Sequence, residues 1–238
     1  FFGHVHRHPA RMEYEHGAAR DGRLLYVDAR IVLDGGAYAS SSTAVVANAA
    51  TFACGPYDVP CARIEADVAY TNNPPCGAMR GFGAVQVAFA HESQMDRLAA
   101  EIGLDPVEVR LRNALEPGMR LPTGQLVDGP APVRRLLEEL RAMPLPPLAR
   151  STPVDLRELP GGVSNTTHGE GTRRGVGFAV AFKNIAFAEG FDDYSTARVR
   201  LSLDDRGPVA EIQTAAAEVG QGLETVLEQI ARTELDVD

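Results

Sequence analysis

The chain has 238 residues and a formal net charge of −9 at neutral pH. This acidic balance argues against nucleic acid as a partner, because phosphate backbones require a basic surface. Hydrophobic residues make up 45% of the sequence and charged residues 23%, which is ordinary for a globular protein. No apolar run reaches the roughly 18 residues that a membrane span requires. We therefore expect one large or two small globular domains and no membrane partner.

Cysteine usage and the N-terminus indicate the cellular setting. The three cysteines, Cys54, Cys61 and Cys76, cannot all pair and form no C-x-x-C motif, which favours reduced thiols in a cytoplasmic protein. An iron–sulfur cluster needs more cysteine ligands than this chain has. The sequence starts at Phe1 with no signal peptide or transit pattern. We expect an internal fragment of a longer protein that is inactive alone.

The first part of the chain has the pattern of a β hairpin followed by a helix and a third strand. Apolar residues alternate near 10–17 and 23–34, and Asp21-Gly22 predicts the turn between these two strands. The small apolar segment 40–52 predicts a short buried helix. Renewed alternation over 63–70 predicts the third strand.

Three helices are predicted next. The first covers about 85–102, with Gly103 as its end. The second starts with Asp105 as N-cap and Pro106 at the first helical position. The third covers about 132–143.

The remainder of the chain starts with a predicted linker. Residues 144–172 are rich in proline, glycine and polar residues, which predicts a connection without regular structure. Alternation then predicts strands over 175–182, 196–203 and 209–216, and a helix follows from about Leu223.

Two glycine-rich loops, each at a helix start, are the best candidates for a binding site. The first contains Arg80-Gly81-Phe82-Gly83, and the second covers 218–222, with sequence Glu-Val-Gly-Gln-Gly. Glycines let a backbone approach a ligand closely, and free N–H groups at a helix start favour an anion. An ordinary loop-to-helix turn and a helix cap are the alternative interpretations of the two loops.

Three histidines alternate at the start of the chain, at His4, His6 and His8. A metal site is one interpretation and an exposed edge is the other. We favour the exposed edge, because no carboxylate or cysteine follows at ligand spacing.

The stretch 71–92 resembles the arginine–glycine–phenylalanine–glycine loop of the xanthine dehydrogenase / aldehyde oxidase family, in the large subunit that binds the molybdenum cofactor. Two other segments resemble that subunit in the same order. They are Arg7-His8-Pro9 followed by 34–38 (Asp-Gly-Gly-Ala-Tyr), and 218–223. The resemblance covers nearly the whole chain and is weakest over 122–172.

The resemblance implies an α+β fold, a mixed α/β fragment of a molybdenum-cofactor-binding domain with two lobes, each with a small sheet packed by helices. The first lobe would cover 1–143, the linker 144–172, and the start of the second lobe 173–238. The implied enzyme is a molybdenum hydroxylase that uses water to hydroxylate an electron-poor carbon of an N-heteroaromatic or aldehyde substrate. Its cofactor would be molybdenum-molybdopterin, with iron–sulfur clusters and FAD on partner domains or subunits of a homo- or hetero-oligomer.

The resemblance also implies roles for individual residues, which here are cofactor binding by Arg80, Gly81, Val219, Gly220, Gln221 and Gly222, and substrate binding by Phe82 and Asn48. No protein side chain would ligate the metal, and the general-base glutamate is expected beyond Asp238. Asn48 departs from the purine-oxidising members, which have an arginine there, so xanthine is disfavoured. A non-catalytic anion- or nucleotide-binding module with the same glycine loops is the alternative function.

Overall fold

A computed structural model of the chain describes residues 4–144, 176–184 and 194–235, except 206 and 219. The strands in this part are β1 (Ala10–Ala18), β2 (Leu24–Gly36), β3 (Cys61–Tyr70), β4 (Ala197–Asp204) and β5 (Gly207–Thr214). The helices are α1 (Ser42–Thr51), α2 (Ala84–Ile102), α3 (Pro106–Asn113), α4 (Val133–Ala142) and α5 (Leu223–Leu235). The mixed α+β fold is confirmed. None of the helices in the described ranges is long and apolar enough to cross a membrane.

Strand β2 is the centre of a three-stranded sheet with the order β1-β2-β3. It pairs antiparallel with β1, in a register that places Ala10 opposite Leu33, so the predicted hairpin is confirmed. It pairs in parallel with β3, in a register that places Tyr26 opposite Cys61. This parallel pairing was not predicted, and it requires the crossover in which α1 lies.

Alternate residues of β2 explain where the core forms. Val27, Ala29, Ile31 and Leu33 are all at most 1% exposed, as the period of two requires for a half-buried strand. Val27 and Ala29 join a cluster with residues of α2 and α3, whereas Ile31 and Leu33 join one with residues of α1 and the start of α2. The second cluster therefore attaches the start of α2 to α1 and the sheet.

The predicted ends of α2 and α3 are confirmed. Helix α2 ends at Gly103, which has a left-handed backbone with φ of 72°. The Asp105 side chain accepts hydrogen bonds from the amides of Val107 and Glu108, both at 3.0 Å, and Pro106 is the first residue of α3. A carboxylate at this position satisfies amides that have no partner within the helix.

The strand predicted over 175–182 is wrong for the residues that the structure describes, because 176–184 belong to no strand. Phe178 and Val180 pack against a cluster of α3 and α4 residues, and Phe182 packs against the α1 cluster. The alternation therefore reflects an extended segment that inserts every second side chain between helices. Most of the predicted linker lies outside the described residues.

The last three elements form a second, smaller unit. Strands β4 and β5 pair antiparallel, and their register places Val199 opposite Ile212 and Leu201 opposite Ala210. These four apolar side chains share one face of the sheet. A groove of about 550 Å³ lies between residues of β5 and α5, and α5 has no buried residue.

Candidate functional site

The Arg80 loop adopts an unusual backbone just before α2. Gly81, Phe82 and Gly83 all have positive φ, at 94°, 46° and 96°. A bulky residue such as Phe82 rarely adopts this left-handed region, and the strain costs about 1–3 kcal/mol. Strain of this kind is concentrated at ligand sites, so the Phe82 backbone points to a functional loop.

The same loop lies directly against α1. A Cβ atom added to Gly83 would clash with the Val45 carbonyl oxygen and come within 2.9 Å of the Ala49 nitrogen. Only glycine permits this approach. Asn48 belongs to the same stretch of α1, and its side-chain amide donates to the Ala44 carbonyl at 3.3 Å. Phe82 and Asn48, the two predicted substrate residues, are thus held on neighbouring backbone.

The two predicted loops meet in the structure. The Arg80 guanidinium donates from Nη1 to the carbonyl oxygen of Gly220 at 2.8 Å, although the residues are 140 positions apart. Arg80 itself is exposed. The hydrogen bond joins the start of α2 to the loop before α5. Val219 lies outside the described residues.

Arg7 fixes the Arg80 loop from the other side, which the sequence did not predict. Its Nη2 donates to the Arg80 carbonyl at 2.7 Å. Its Nη1 is buried and has no hydrogen-bond partner among the described residues. The neighbouring His6 pairs with the chain before the loop, since its amide donates to the Pro75 carbonyl at 3.2 Å. Arg7 belongs to the segment used for the family resemblance, which is the only signal that marked it.

The amides of the second loop have an internal partner. The Glu218 carboxylate accepts hydrogen bonds from Gly220 at 2.6 Å, Gln221 at 2.9 Å, Gly222 at 3.3 Å and Leu223 at 2.5 Å. Desolvation would raise the pKa of Glu218, but these backbone hydrogen bonds lower it overall. This arrangement is that of a capped helix start, the alternative interpretation of this loop. Binding of the cofactor by these residues stays a prediction.

Three observations make the two loops a suitable cradle for an anionic cofactor rich in hydrogen-bond acceptors. Gly220 and Gly222 have positive φ of 93° and 75°, and a Cβ at either would meet nothing within 4 Å. A side chain there would fill space that a ligand can use. Arg80 provides a cation, and the buried Nη1 of Arg7 is a donor without a partner in the described ranges. The residues therefore fit such a group.

Beneath the loop, α2 is fixed by a buried charged network around Glu92. One carboxylate oxygen accepts from the Tyr57 hydroxyl at 2.5 Å, and the other from Arg110 Nε at 2.9 Å and from the Val180 amide at 2.9 Å. Burial would raise the pKa of Glu92, but the hydrogen bonds from His91, Tyr57 and Arg110 lower it overall. This ion pair is completely enclosed, since Arg110 is 0% exposed.

The Glu92 network connects three parts of the chain. Arg110 also donates to the Glu92 carbonyl at 3.2 Å and pairs with Asp96 at 2.8 Å. Through Val180 the network holds the segment 176–184 against α2. All acceptor positions of Glu92 are used within the protein, so its role is to position structure and not to transfer protons.

Two family models match the chain. Both are described as a molybdopterin cofactor-binding domain, and they match residues 1–114 and 153–238. The first match contains Arg7, Asn48 and the Arg80 loop, and the second contains the Gly220 loop. The residues that form the Arg80–Gly220 contact thus come from both matched segments.

Curated relatives agree with these matches. The chain is 44% identical over 57% of its length to the nicotinate dehydrogenase large molybdopterin subunit of Eubacterium barkeri, and covers 32% of it. It is 33% identical over 97% of its length to a probable xanthine dehydrogenase from Bacillus subtilis, and covers 28% of that protein. The chain thus spans about a third of the length of these relatives.

Solved structures show the same fold over part of the chain. The aldehyde oxidoreductase from Desulfovibrio gigas matches 57% of this chain and 15% of its own, with a TM-score of 0.54 and 34% identity. Quinoline 2-oxidoreductase from Pseudomonas putida 86 matches 59% of this chain and 19% of its own, with a TM-score of 0.51 and 31% identity. The chain belongs to the molybdopterin cofactor-binding domains of the xanthine dehydrogenase / aldehyde oxidase family of molybdenum oxidoreductases.

Proposed function

We propose that this chain forms one wall of a molybdenum-cofactor site in an enzyme that hydroxylates an electron-poor carbon with oxygen from water. The observation that carries the proposal is the 2.8 Å hydrogen bond from Arg80 to Gly220. It joins the two glycine-rich loops, each of which belongs to a segment matched by a molybdopterin-binding family model.

The cofactor-side residues of the proposal are Arg80 and Gly81 on the first loop, and Val219, Gly220, Gln221 and Gly222 on the second. Arg80 keeps its charge at all relevant pH values and offers several N–H donors to oxygen atoms. Glu218 fixes the shape of the second loop through its four amide hydrogen bonds. When bound, the cofactor supplies the two-electron oxidation that side chains cannot perform.

The substrate side of the proposal is Phe82 with Asn48. A ring held by a strained backbone is suited to stack on a flat heteroaromatic substrate. Asn48 is neutral and cannot stabilise negative charge on a purine, which disfavours xanthine. Relatives are named for nicotinate, quinoline and aldehydes, and an N-heteroaromatic or aldehyde substrate is consistent with these names.

The proposal includes parts outside this chain. The general-base glutamate would lie beyond Asp238, and iron–sulfur and flavin domains or subunits would remove the electrons. A homo- or hetero-oligomer is proposed for that assembly. We propose the division into 1–143, 144–172 and 173–238, which the two separate family matches support. A cytoplasmic location is supported by the three free cysteines.

A non-catalytic anion-binding module is the weaker alternative, since the matched relatives are named as oxidoreductases. Metal and pterin analysis of the protein purified with its natural partners separates the two functions. Turnover of N-heteroaromatic and aldehyde substrates in ¹⁸O-labelled water should give a labelled hydroxylated product. Absence of molybdenum and pterin from an intact, folded preparation would refute the enzyme assignment.

A further inference from the structure

A cavity of about 460 Å³ lies next to the C-terminal end of α1. It is lined by Phe52 from α1, by Phe182 and Lys183 from the extended segment, and by residues of the 121–133 loop. Small-molecule sites have volumes of about 300–1,000 Å³ and are mostly apolar with a few polar groups. The size and lining of this cavity match that description.

Two aromatic rings form a fixed corner of the cavity. The rings of Phe52 and Phe182 lie edge to face, with centroids 4.9 Å apart and planes at 86°. Phe52 is 3% exposed and belongs to the buried cluster of α1, against which Phe182 and Phe82 also pack. The corner is therefore rigid enough to hold another aromatic ring in a defined orientation.

The cavity also has one ammonium group, and it belongs to the only lysine of the sequence, Lys183. Its Nζ lies 5.1 Å from the centroid of the Phe52 ring, and it donates to the Asn184 side-chain oxygen. Desolvation lowers the pKa of Lys183. A cation beside apolar walls is screened less by water, so it attracts an anion more strongly than a fully solvated lysine does.

The position of the cavity on α1 relates it to the proposed substrate residues. Asn48 precedes Phe52 by four residues, so the two lie on one side of the helix, about 5.4 Å apart along its axis. Gly83 of the Arg80 loop contacts the same helix at Val45 and Ala49. The cavity is thus about one helical turn from the residue where a charge is lacking.

We propose that this cavity binds a substrate whose aromatic ring carries a carboxylate, with Lys183 as the residue that pairs with the carboxylate. The inference rests on the proposed function and specifies its substrate class as heteroaromatic carboxylates. Phe52 and Phe182 contact the ring, and the Lys183 ammonium donates to the carboxylate oxygens. Asp128 lines the same cavity, so a second anionic group is disfavoured and a monocarboxylate is selected.

The experiment compares pyridine-3-carboxylate with its neutral isostere, pyridine-3-carboxamide, on the full-length protein purified with its natural partners. Dissociation constants are measured by calorimetry without turnover. Acylation of Lys183 by an activated ester is followed by peptide mass spectrometry at increasing ligand concentration. The variants are Lys183→Met, Lys183→Arg and, as control, Arg134→Met. Arg134 is a nearby cation outside the cavity lining that pairs with Glu116 at 2.8 Å.

The carboxylate should bind the wild type about tenfold to a hundredfold more tightly than the amide, which is the range for a charged hydrogen bond. It should also protect Lys183 from acylation. Lys183→Met should abolish the preference, whereas Lys183→Arg and Arg134→Met should retain it. Equal binding of acid and amide to the wild type, or an unchanged preference in Lys183→Met, would overturn the inference. Selective binding without molybdenum or hydroxylation would refute the proposed function and leave this site intact.

Discussion

Replacing Glu92 with glutamine should destabilise the first unit of the protein strongly. The carboxylate accepts hydrogen bonds from Tyr57, Arg110 and Val180, and an amide side chain cannot accept all of them. Arg110 would keep only Asp96 as a carboxylate partner, and the Asp96 side chain is 54% exposed. Removing one partner of a buried ion pair costs about 3–5 kcal/mol.

Urea unfolding measures this loss. With a slope of about 1–3 kcal/mol per molar urea, the midpoint of the first unit should fall by about 2 M. Val180 should lose protection from amide hydrogen exchange at the same time, because its acceptor is gone. The matched control is Glu139→Gln, which breaks the exposed pair between Arg135 and Glu139 at 3.0 Å and should cost about 0.3–0.5 kcal/mol.

The double variant Glu92→Gln/Arg110→Met makes the physical reasoning refutable. If the cost of the single change comes from an unpaired buried cation, removing that cation should restore part of the stability. The double variant should then be less destabilised than the sum of the two single variants. Strict additivity, or a midpoint shift no larger than that of Glu139→Gln, would refute the account of Glu92.

Three further predictions concern pH, capping and substrate choice. Burial and the nearby His91 lower the pKa of His16 to about 4 from 6.5; the unfolded chain therefore takes up a proton that the folded chain does not. Stability should fall by on the order of 2–3 kcal/mol as pH drops from 6.5 to 4, and identical acid sensitivity in His16→Leu would contradict this. Asp105→Ala should cost about 1 kcal/mol by loss of the α3 cap, measured by urea unfolding against the wild type; an unchanged midpoint would argue against the cap. Asn48→Arg should leave molybdenum content unchanged and shift preference toward purines, which a substrate panel tests; loss of the metal would place Asn48 on the cofactor side.

Local signals explain how much of the fold was predictable. The alternation in β2, the Asp21-Gly22 turn and the cap at Asp105 act within a few residues, and the structure confirms all three. The parallel pairing of β3 depends on contacts across the α1 crossover, which no local pattern encodes. Alternation over 175–182 failed for a related reason, since a period of two also describes an extended segment packed between helices.

The candidate site divides in the same way. The positive φ of Phe82 and the close approach of Gly83 to α1 follow from the glycines that the sequence marked. The anchoring of the loop by Arg7, the capture of four amides by Glu218, and the Glu92–Arg110 pair arise from tertiary contacts. Charged residues are usually solvated, so nothing in the sequence distinguished Arg110, which is 0% exposed, from the surface arginines.

The most direct test of the proposed function is the molybdenum and pterin content of Arg80→Ala, purified with its natural partners beside the wild type. Arg80 joins the two loops through Gly220, and a charged hydrogen bond contributes about 1.5–3 kcal/mol. We predict that cofactor retention or turnover falls by about tenfold to a hundredfold or more. Arg11→Ala, which removes an exposed arginine whose side chain is 83% accessible, should leave both unchanged. Full metal content together with full turnover in Arg80→Ala would contradict the assignment of the site.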